Sequence, residues 1–179
     1  GQVCTKFLTP GSTVLDIGCG CGRLARFLIH VPELRYVGFD IFEPSITWCT
    51  DHLTPLSDGR FQFYLFDGVS SHYNPTGAIE PSRFRFPVYD GTMDLVVGAS
   101  LFTHLQESDA AHYLSETVRV LKDRGKALFS IHDEPEPGTL FSGDEARIDI
   151  APEYFLRMAG AVGLRCHEDI GELCGQRTF

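Results

Sequence analysis

The sequence lacks any apolar run approaching the roughly 20 residues that a helix needs to cross a bilayer, so no membrane span is expected. It also lacks an excess of basic residues. Asp and Glu outnumber Lys and Arg by 24 to 15, for a formal charge of -9. A balance of that sign disfavours attraction to a phosphate backbone, so nucleic acid is not expected as a partner. The six cysteines (Cys4, Cys19, Cys21, Cys49, Cys166 and Cys174) lack the paired C-x2-C spacing of a zinc site, and no metal is expected. Reduced thiols in a cytoplasmic setting are the simplest reading of them. Internal repeats, charge blocks and low-complexity tracts are missing as well. No signal peptide is read, and an opening Gly1 in place of Met gives the expectation of a trimmed piece of something longer.

What is present is ordinary globular composition, 43% hydrophobic and 22% charged, over 179 residues. That length suits one domain, residues 1–179, with a core large enough to need no staples. Apolar runs alternate with amphipathic stretches, the pattern of parallel strands buried on both faces and joined by helices. Strands are expected over residues 13–17, 35–40, 61–66, 93–99, 125–132 and 165–169. Helices are expected over 22–29, over 43–52 with Pro44 in the first turn, over 109–121, and over 152–162 ahead of Gly163. The third of these places Ala111, Leu114, Val118 and Leu121 on one face. Residues 69–92 break the rhythm: Asn74, Pro75, Gly77, Pro81, Pro87, Asp90 and Gly91 are turn chemistry. A loop of that length is either a substrate-side insertion or a surface excursion packed by Phe84, Phe86 and Tyr89.

The chemistry concentrates in Val14-Leu15-Asp16-Ile17-Gly18-Cys19-Gly20-Cys21-Gly22-Arg23-Leu24, a buried strand running through alternating glycines into a helix. Bare backbone there permits a tight turn and lets a ligand approach the main chain. A second strand, Tyr36-Val37-Gly38-Phe39-Asp40, ends in an acid 22 positions after Gly18. A carboxylate at that place can accept from both hydroxyls of a ribose. Phe66-Asp67-Gly68 puts another acid at a strand end.

VLDIGCGCGRLA resembles the first motif of class I S-adenosylmethionine-dependent methyltransferases, and YVGFD and FDG resemble the second and third at matching spacing. Gly91–Val97 resembles the fourth, and residues 101–105 and 113–122 resemble the helix region that follows. The resemblance implies an α/β, Rossmann-like, doubly wound, mostly parallel sheet whose last antiparallel strand is short or incomplete. It implies S-adenosylmethionine as cofactor and methyl transfer as reaction. Asp16 and the turn Gly18, Cys19, Gly20 and Gly22 would face the methionine part; Asp40 would face the ribose; Asp67, beside Gly68, the adenine amino group. Ile41 and Phe66 would pack on adenine, and Ser100 would line the floor near the methyl group. His104, after the fourth strand, is the candidate general base, against a structural role in packing or capping the next helix. Tyr73–Pro75 and Phe84–Gly91 resemble a bacterial subgroup associated with glycan biosynthesis, which implies a small-molecule or carbohydrate-like acceptor. Many relatives carry Gly-Gly before the fifth strand, where this chain has Asp123-Arg124-Gly125-Lys126.

Other readings compete. His132, Asp133 and Glu134 read as a solvated strand-end loop rather than a metal or acid–base cluster. Trp48 reads as core before it reads as a sugar contact, and Cys19 and Cys21 as small fillers before nucleophiles. An NAD-binding oxidoreductase would share the glycine turn and Asp40, but its fingerprint is G-x-G-x-x-G and it has no required place for Asp67. A catalytically silent S-adenosylmethionine-binding module is the remaining alternative.

Overall fold

The computed structural model describes residues 2–179. In chain order the elements are α1 (Gln2–Thr5), β1 (Thr13–Ile17), α2 (Arg23–Leu28), β2 (Arg35–Asp40), α3 (Glu43–Leu56), β3 (Phe61–Leu65), β4 (Met93–Gly98), α4 (Glu107–Val120), β5 (Leu121–Ile131), β6 (Phe141–Asp144), β7 (Arg147–Ile150), α5 (Pro152–Ala161), β8 (Gly171–Leu173) and β9 (Gln176–Thr178). Seven strands form one sheet in the order β3-β2-β1-β4-β5-β9-β8. The five from β3 to β5 pair in parallel, and β9 runs antiparallel to both neighbours. This is the Rossmann-like mixed sheet, with order reversing beside β1, where an open α/β sheet leaves a crevice at the carboxyl ends of its strands.

The strands are continuous apolar runs because both faces are covered. On one face Val14, Tyr36, Phe61, Leu95 and Val97 pack with Ala25, Leu28, Cys49 and Leu53 of α2 and α3. On the other, Leu15, Ile17, Phe39, Val96 and Phe129 pack with Leu114 and Val120 of α4 and Phe155 of α5. Alternate residues of each strand therefore serve opposite cores.

The structure departs from several expectations. Residues 165–169 form no strand; the closing strands come later, as the β8–β9 hairpin, and the last is three residues long. Residues 141–150 form the β6–β7 hairpin, which the apolar pattern does not announce. On α4 the buried residues include Ala110, Tyr113, Leu114, Thr117 and Val120, whereas Ala111 is exposed and Val118 is 38% exposed. The face is rotated because Glu116 belongs to it: its carboxylate accepts from the Phe86 N–H at 2.8 Å and pairs with Arg119 at 2.5 Å. A polar residue thus sits where a hydrophobic pattern leaves a gap. Trp48 is 39% exposed and stacks on His52 rather than entering the core, and Cys21 is exposed while Cys19 is buried.

The Asp123–Lys126 run opens β5 with a register irregularity against β4. Arg124 takes φ 66° there, the left-handed region in which a glycine is unstrained. Residues 69–92 hold one short 3-10 turn, Pro81–Arg83, and are tied down at their base by Val69 N–H to Ile79 O and Ala78 N–H to Asp67 O. Phe86 and Phe84 anchor the segment against Phe39 and Phe66, but Tyr89 is 87% exposed and packs nothing down. Among the described residues no helix is long and apolar enough to cross a membrane.

Candidate active site

A cleft of about 380 Å³ opens at the carboxyl ends of β1, β2 and β4. One side is built by the turn after β1. Gly18, Gly20 and Gly22 have φ of 69°, 51° and 72°, so this path is nearly closed to side chains. A Cβ on Gly20 would meet nothing within 4 Å, which leaves bare backbone facing open space. Gly22 is different: a Cβ there would lie 2.6 Å from Leu53 Cδ1, so this glycine serves the seating of α2 on α3. Cys19 is buried against Gly38, where an added Cβ would approach its Sγ to 2.9 Å.

Asp40 ends β2 and locks the turn. Its Oδ2 accepts from the Gly20 N–H at 2.8 Å and its Oδ1 from the Phe42 N–H at 2.9 Å. The carboxylate is half-exposed and lines the cleft with Ile41 and Phe66. Phe66 itself is buried and stacked on Phe84, with ring centroids 3.6 Å apart. Asp67 is exposed and accepts from Asn74 Nδ2 at 3.1 Å; neither it nor Gly68 is part of the lining. Asp16 also lies outside the lining. It is 4% exposed and accepts a hydrogen bond from the Tyr36 hydroxyl, and burial pushes its carboxyl up to about 7 against the lowering effect of that bond.

The floor and far wall come from the chain after β4. Ser100 lines the cleft at φ 58°, its hydroxyl donating to Gln176 Oε1 and its N–H to Ser130 Oγ. A serine held in this region costs on the order of 1–3 kcal/mol, a strain that typically gathers at functional sites. His104 faces the same cleft, and its Nδ1 lies 2.9 Å from the Glu145 carbonyl oxygen. A carbonyl can only accept, so neutral His104 carries its proton on Nδ1 and presents Nε2 as a bare lone pair. The Tyr73 hydroxyl approaches that nitrogen at 3.4 Å, with the rings edge to face.

The structure therefore brings Gly18, Gly20, Asp40, Ile41, Phe66, Ser100 and His104 to one cleft and leaves Asp16, Cys19, Gly22, Asp67 and Gly68 outside its lining. It adds Asp109 and Glu145, which no motif announces, and Tyr73 and Tyr113, which fall in segments of the resemblance that carried no site role. Glu145 sits in the turn of the unforeseen β6–β7 hairpin and accepts from Ser70 Oγ at 2.6 Å, joining that hairpin to the 69–92 segment. His132 bridges Asp149 of β7 rather than lying in a solvated loop.

These residues suit an adenosyl-type ligand. Backbone without Cβ atoms faces open space at Gly20, and a carboxylate already fixed by two N–H groups keeps lone pairs free beside apolar Ile41 and Phe66.

A family model described as a methyltransferase domain matches residues 15–127. The chain is 30% identical over 118 residues to 2-methyl-6-phytyl-1,4-hydroquinone methyltransferase of Synechocystis, covering 66% of this chain and 31% of the relative. It is 26% identical over 121 residues to cyclopropane mycolic acid synthase 3 of Mycobacterium tuberculosis, covering 68% and 36%. It thus spans about a third of the length of these curated relatives. A solved methyltransferase from Aquifex aeolicus superposes with TM-score 0.72 at 18% identity, over 99% of this chain and 85% of the other. A TehB-like methyltransferase from Corynebacterium glutamicum gives 0.70 at 18% identity, over 99% and 82%. The family match spans the glycine turn, β2 with Asp40, and β4, so the chain belongs to the methyltransferase domain family, the class I S-adenosylmethionine-dependent methyltransferases.

Proposed function

We propose that this chain transfers a methyl group from S-adenosylmethionine to a small-molecule or carbohydrate-like acceptor, with His104 as general base. The observation that carries the reading is one cleft holding the bare turn at Gly18 and Gly20, the Asp40 carboxylate and the Nε2 lone pair of His104, met only by the Tyr73 hydroxyl at 3.4 Å among the described residues. When bound, S-adenosylmethionine supplies an electrophilic methyl carbon on a sulfonium, so the protein's task is binding, orientation and exclusion of water.

In this reading Gly18, Cys19 and Gly20 offer main chain to the methionine part, while Asp40 accepts from the ribose hydroxyls. Ile41 and Phe66 pack on adenine. Asp67 and Gly68 shape the adenine end from behind Phe66, and Gly22 and Asp16 hold the turn from beneath. Ser100 shapes the floor through its backbone, since its hydroxyl is spent on Gln176. His104 Nε2 takes the proton of the acceptor as its oxygen or nitrogen attacks, and the Glu145 carbonyl fixes the tautomer that makes this possible. The acidic balance and the cleft's size favour a small acceptor over nucleic acid.

Calorimetry with S-adenosylmethionine, S-adenosylhomocysteine and NAD tests the core of the reading. Binding of the first two and not the third is expected; NAD binding alone would transfer the chain to the oxidoreductases. With an acceptor in hand, His104→Ala is expected to lower kcat roughly 100-fold, the low end of general acid–base contributions. Affinity for S-adenosylhomocysteine should stay within about threefold, and full turnover by the variant would remove His104 from the chemistry.

A further inference from the structure

The cleft divides by element. Gly18, Gly20, Asp40 and Ile41 form the half above β1 and β2; Tyr73, His104, Asp109, Tyr113 and Glu145 form the other. Arg23, at the start of α2 beside the glycine turn, is the sole Lys or Arg in the lining. Neither Asp109 nor Glu145 is ion-paired among the described residues. Ser70 Oγ donates to Glu145 at 2.6 Å, which holds that carboxylate in place without neutralising it.

A separate observation points to a ligand. Tyr113 is 3% exposed and lines the cleft, yet its hydroxyl has no hydrogen-bond partner among the described residues. Its ring is fixed edge-on to Phe86, which holds the phenol in one orientation at the cleft wall. The hydroxyl is the part of this buried side chain that opens on the cleft, where it is available to a polar group that enters.

We propose that this half of the cleft takes an amine-bearing small molecule whose ammonium group is held by the Asp109 and Glu145 carboxylates and the Tyr113 hydroxyl. The proposal rests on the methyl-transfer reading above and narrows its acceptor. An ammonium group has three N–H donors and no acceptor, which suits a wall of carboxylate, hydroxyl and imidazole acceptors without a Lys or Arg. Burial, and then the negative charge of Glu145 and Glu80, push the Asp109 carboxyl up from its ordinary range, so a bound cation relieves an existing repulsion. A phosphate or carboxylate on the acceptor would add to that repulsion. In the reaction one N–H of the ammonium group turns from the Tyr113 hydroxyl to His104 Nε2, which takes that proton and becomes the imidazolium. The freed nitrogen lone pair then forms the bond to the methyl carbon as the carbon–sulfur bond breaks and its electron pair stays on sulfur. The products are a methylated ammonium and neutral S-adenosylhomocysteine.

The test is calorimetric, on protein saturated with S-adenosylhomocysteine. Two matched sets are titrated: phenethylamine, 2-phenylethanol and phenylacetate; then glucosamine, glucose and glucuronate. In at least one set the amine should bind tenfold or more tightly than its neutral and anionic counterparts. Glu145→Gln and Asp109→Asn should each reduce that preference and together erase it, and Tyr113→Phe should weaken the amine several-fold. Affinity for S-adenosylhomocysteine should stay within threefold throughout. Equal or better binding of the neutral or anionic member, no binding by any of the six, or a preference surviving the double substitution overturns the proposal. So does a selective loss of S-adenosylmethionine over S-adenosylhomocysteine in the variants, which would assign these carboxylates to the sulfonium. Failure of wild-type protein to bind S-adenosylhomocysteine would strike the methyl-transfer reading instead.

Discussion

Asp40→Ala is expected to weaken S-adenosylmethionine and S-adenosylhomocysteine binding by on the order of 100- to 1,000-fold, the largest loss for any single side chain in the cleft. Hydrogen bonds to a charged group contribute about 1.5–3 kcal/mol each, and the proposed ribose contact has two hydroxyl donors. The same carboxylate accepts from the Gly20 and Phe42 N–H groups, so its removal also loosens the turn that the ligand must approach. Asp40→Asn separates these effects. Its amide oxygen can still accept one N–H, but its NH2 opposes another donor and the charge is gone, so an intermediate loss of affinity is expected. Calorimetry with S-adenosylhomocysteine measures all three proteins, and circular dichroism confirms the fold. Affinity within threefold of wild type in Asp40→Ala would detach Asp40 from the ligand and leave it as a brace of the glycine turn.

This prediction could be written from sequence because parallel strands buried on both faces leave an unbroken apolar run with a polar residue at its tip. Tyr36-Val37-Gly38-Phe39-Asp40 is such a run, and β2 ends at Asp40. The same logic placed β1, the glycine turn and β4. It fails where a side chain's neighbours come from distant chain. Glu145 lies in a turn without glycine, between strands Phe-Ser-Gly-Asp and Arg-Ile-Asp-Ile, and its carboxylate is met by Ser70, which is distant in the chain. Nothing local marks it as part of the cleft. Tyr113 and Asp109 were hidden by the rotated face of α4, itself a consequence of the buried Glu116–Arg119 pair. The missing strand at 165–169 shows the converse: Arg-Cys-His-Glu-Asp offers no apolar face to bury, and the edge of β5 is taken by β9. Sequence therefore announced the glycine turn, Asp40 and His104, which follow contiguous motifs, and concealed Asp109 and Glu145, which distant stretches of chain bring to the same cleft.

Wild-type protein is expected to lose stability as pH rises from about 4 to about 7, and Asp16→Asn is expected to abolish most of that loss. Asp16 is fully enclosed between β1 and β2, and burial raises its carboxyl from 3.8 to about 7. The folded state therefore holds a proton that the unfolded chain releases, and between those pH values folding is coupled to proton uptake. The stabilisation is complete below the unfolded value near 3.8, falls as pH rises, and is gone above about 7. At about 1.36 kcal/mol per pH unit, the interval is worth on the order of 4 kcal/mol. Asparagine keeps the shape and an acceptor for the Tyr36 hydroxyl but never ionises, so its stability curve should be flat across the interval and lie above wild type at pH 8. Tyr36→Phe should act in the opposite sense, since it strips the ionised carboxylate of its donor: little change at pH 5 and a marked loss at pH 8. Urea unfolding at pH 5, 6.5 and 8 measures all three. Because Asp16 sits two residues before Gly18 and its partner stands on the strand that carries Asp40, the pair fixes the spacing between the glycine turn and Asp40. An Asp16→Asn protein less stable than wild type at pH 8 would show instead that the carboxylate is ionised and gainfully paired, and would reopen a direct role for it toward the ligand.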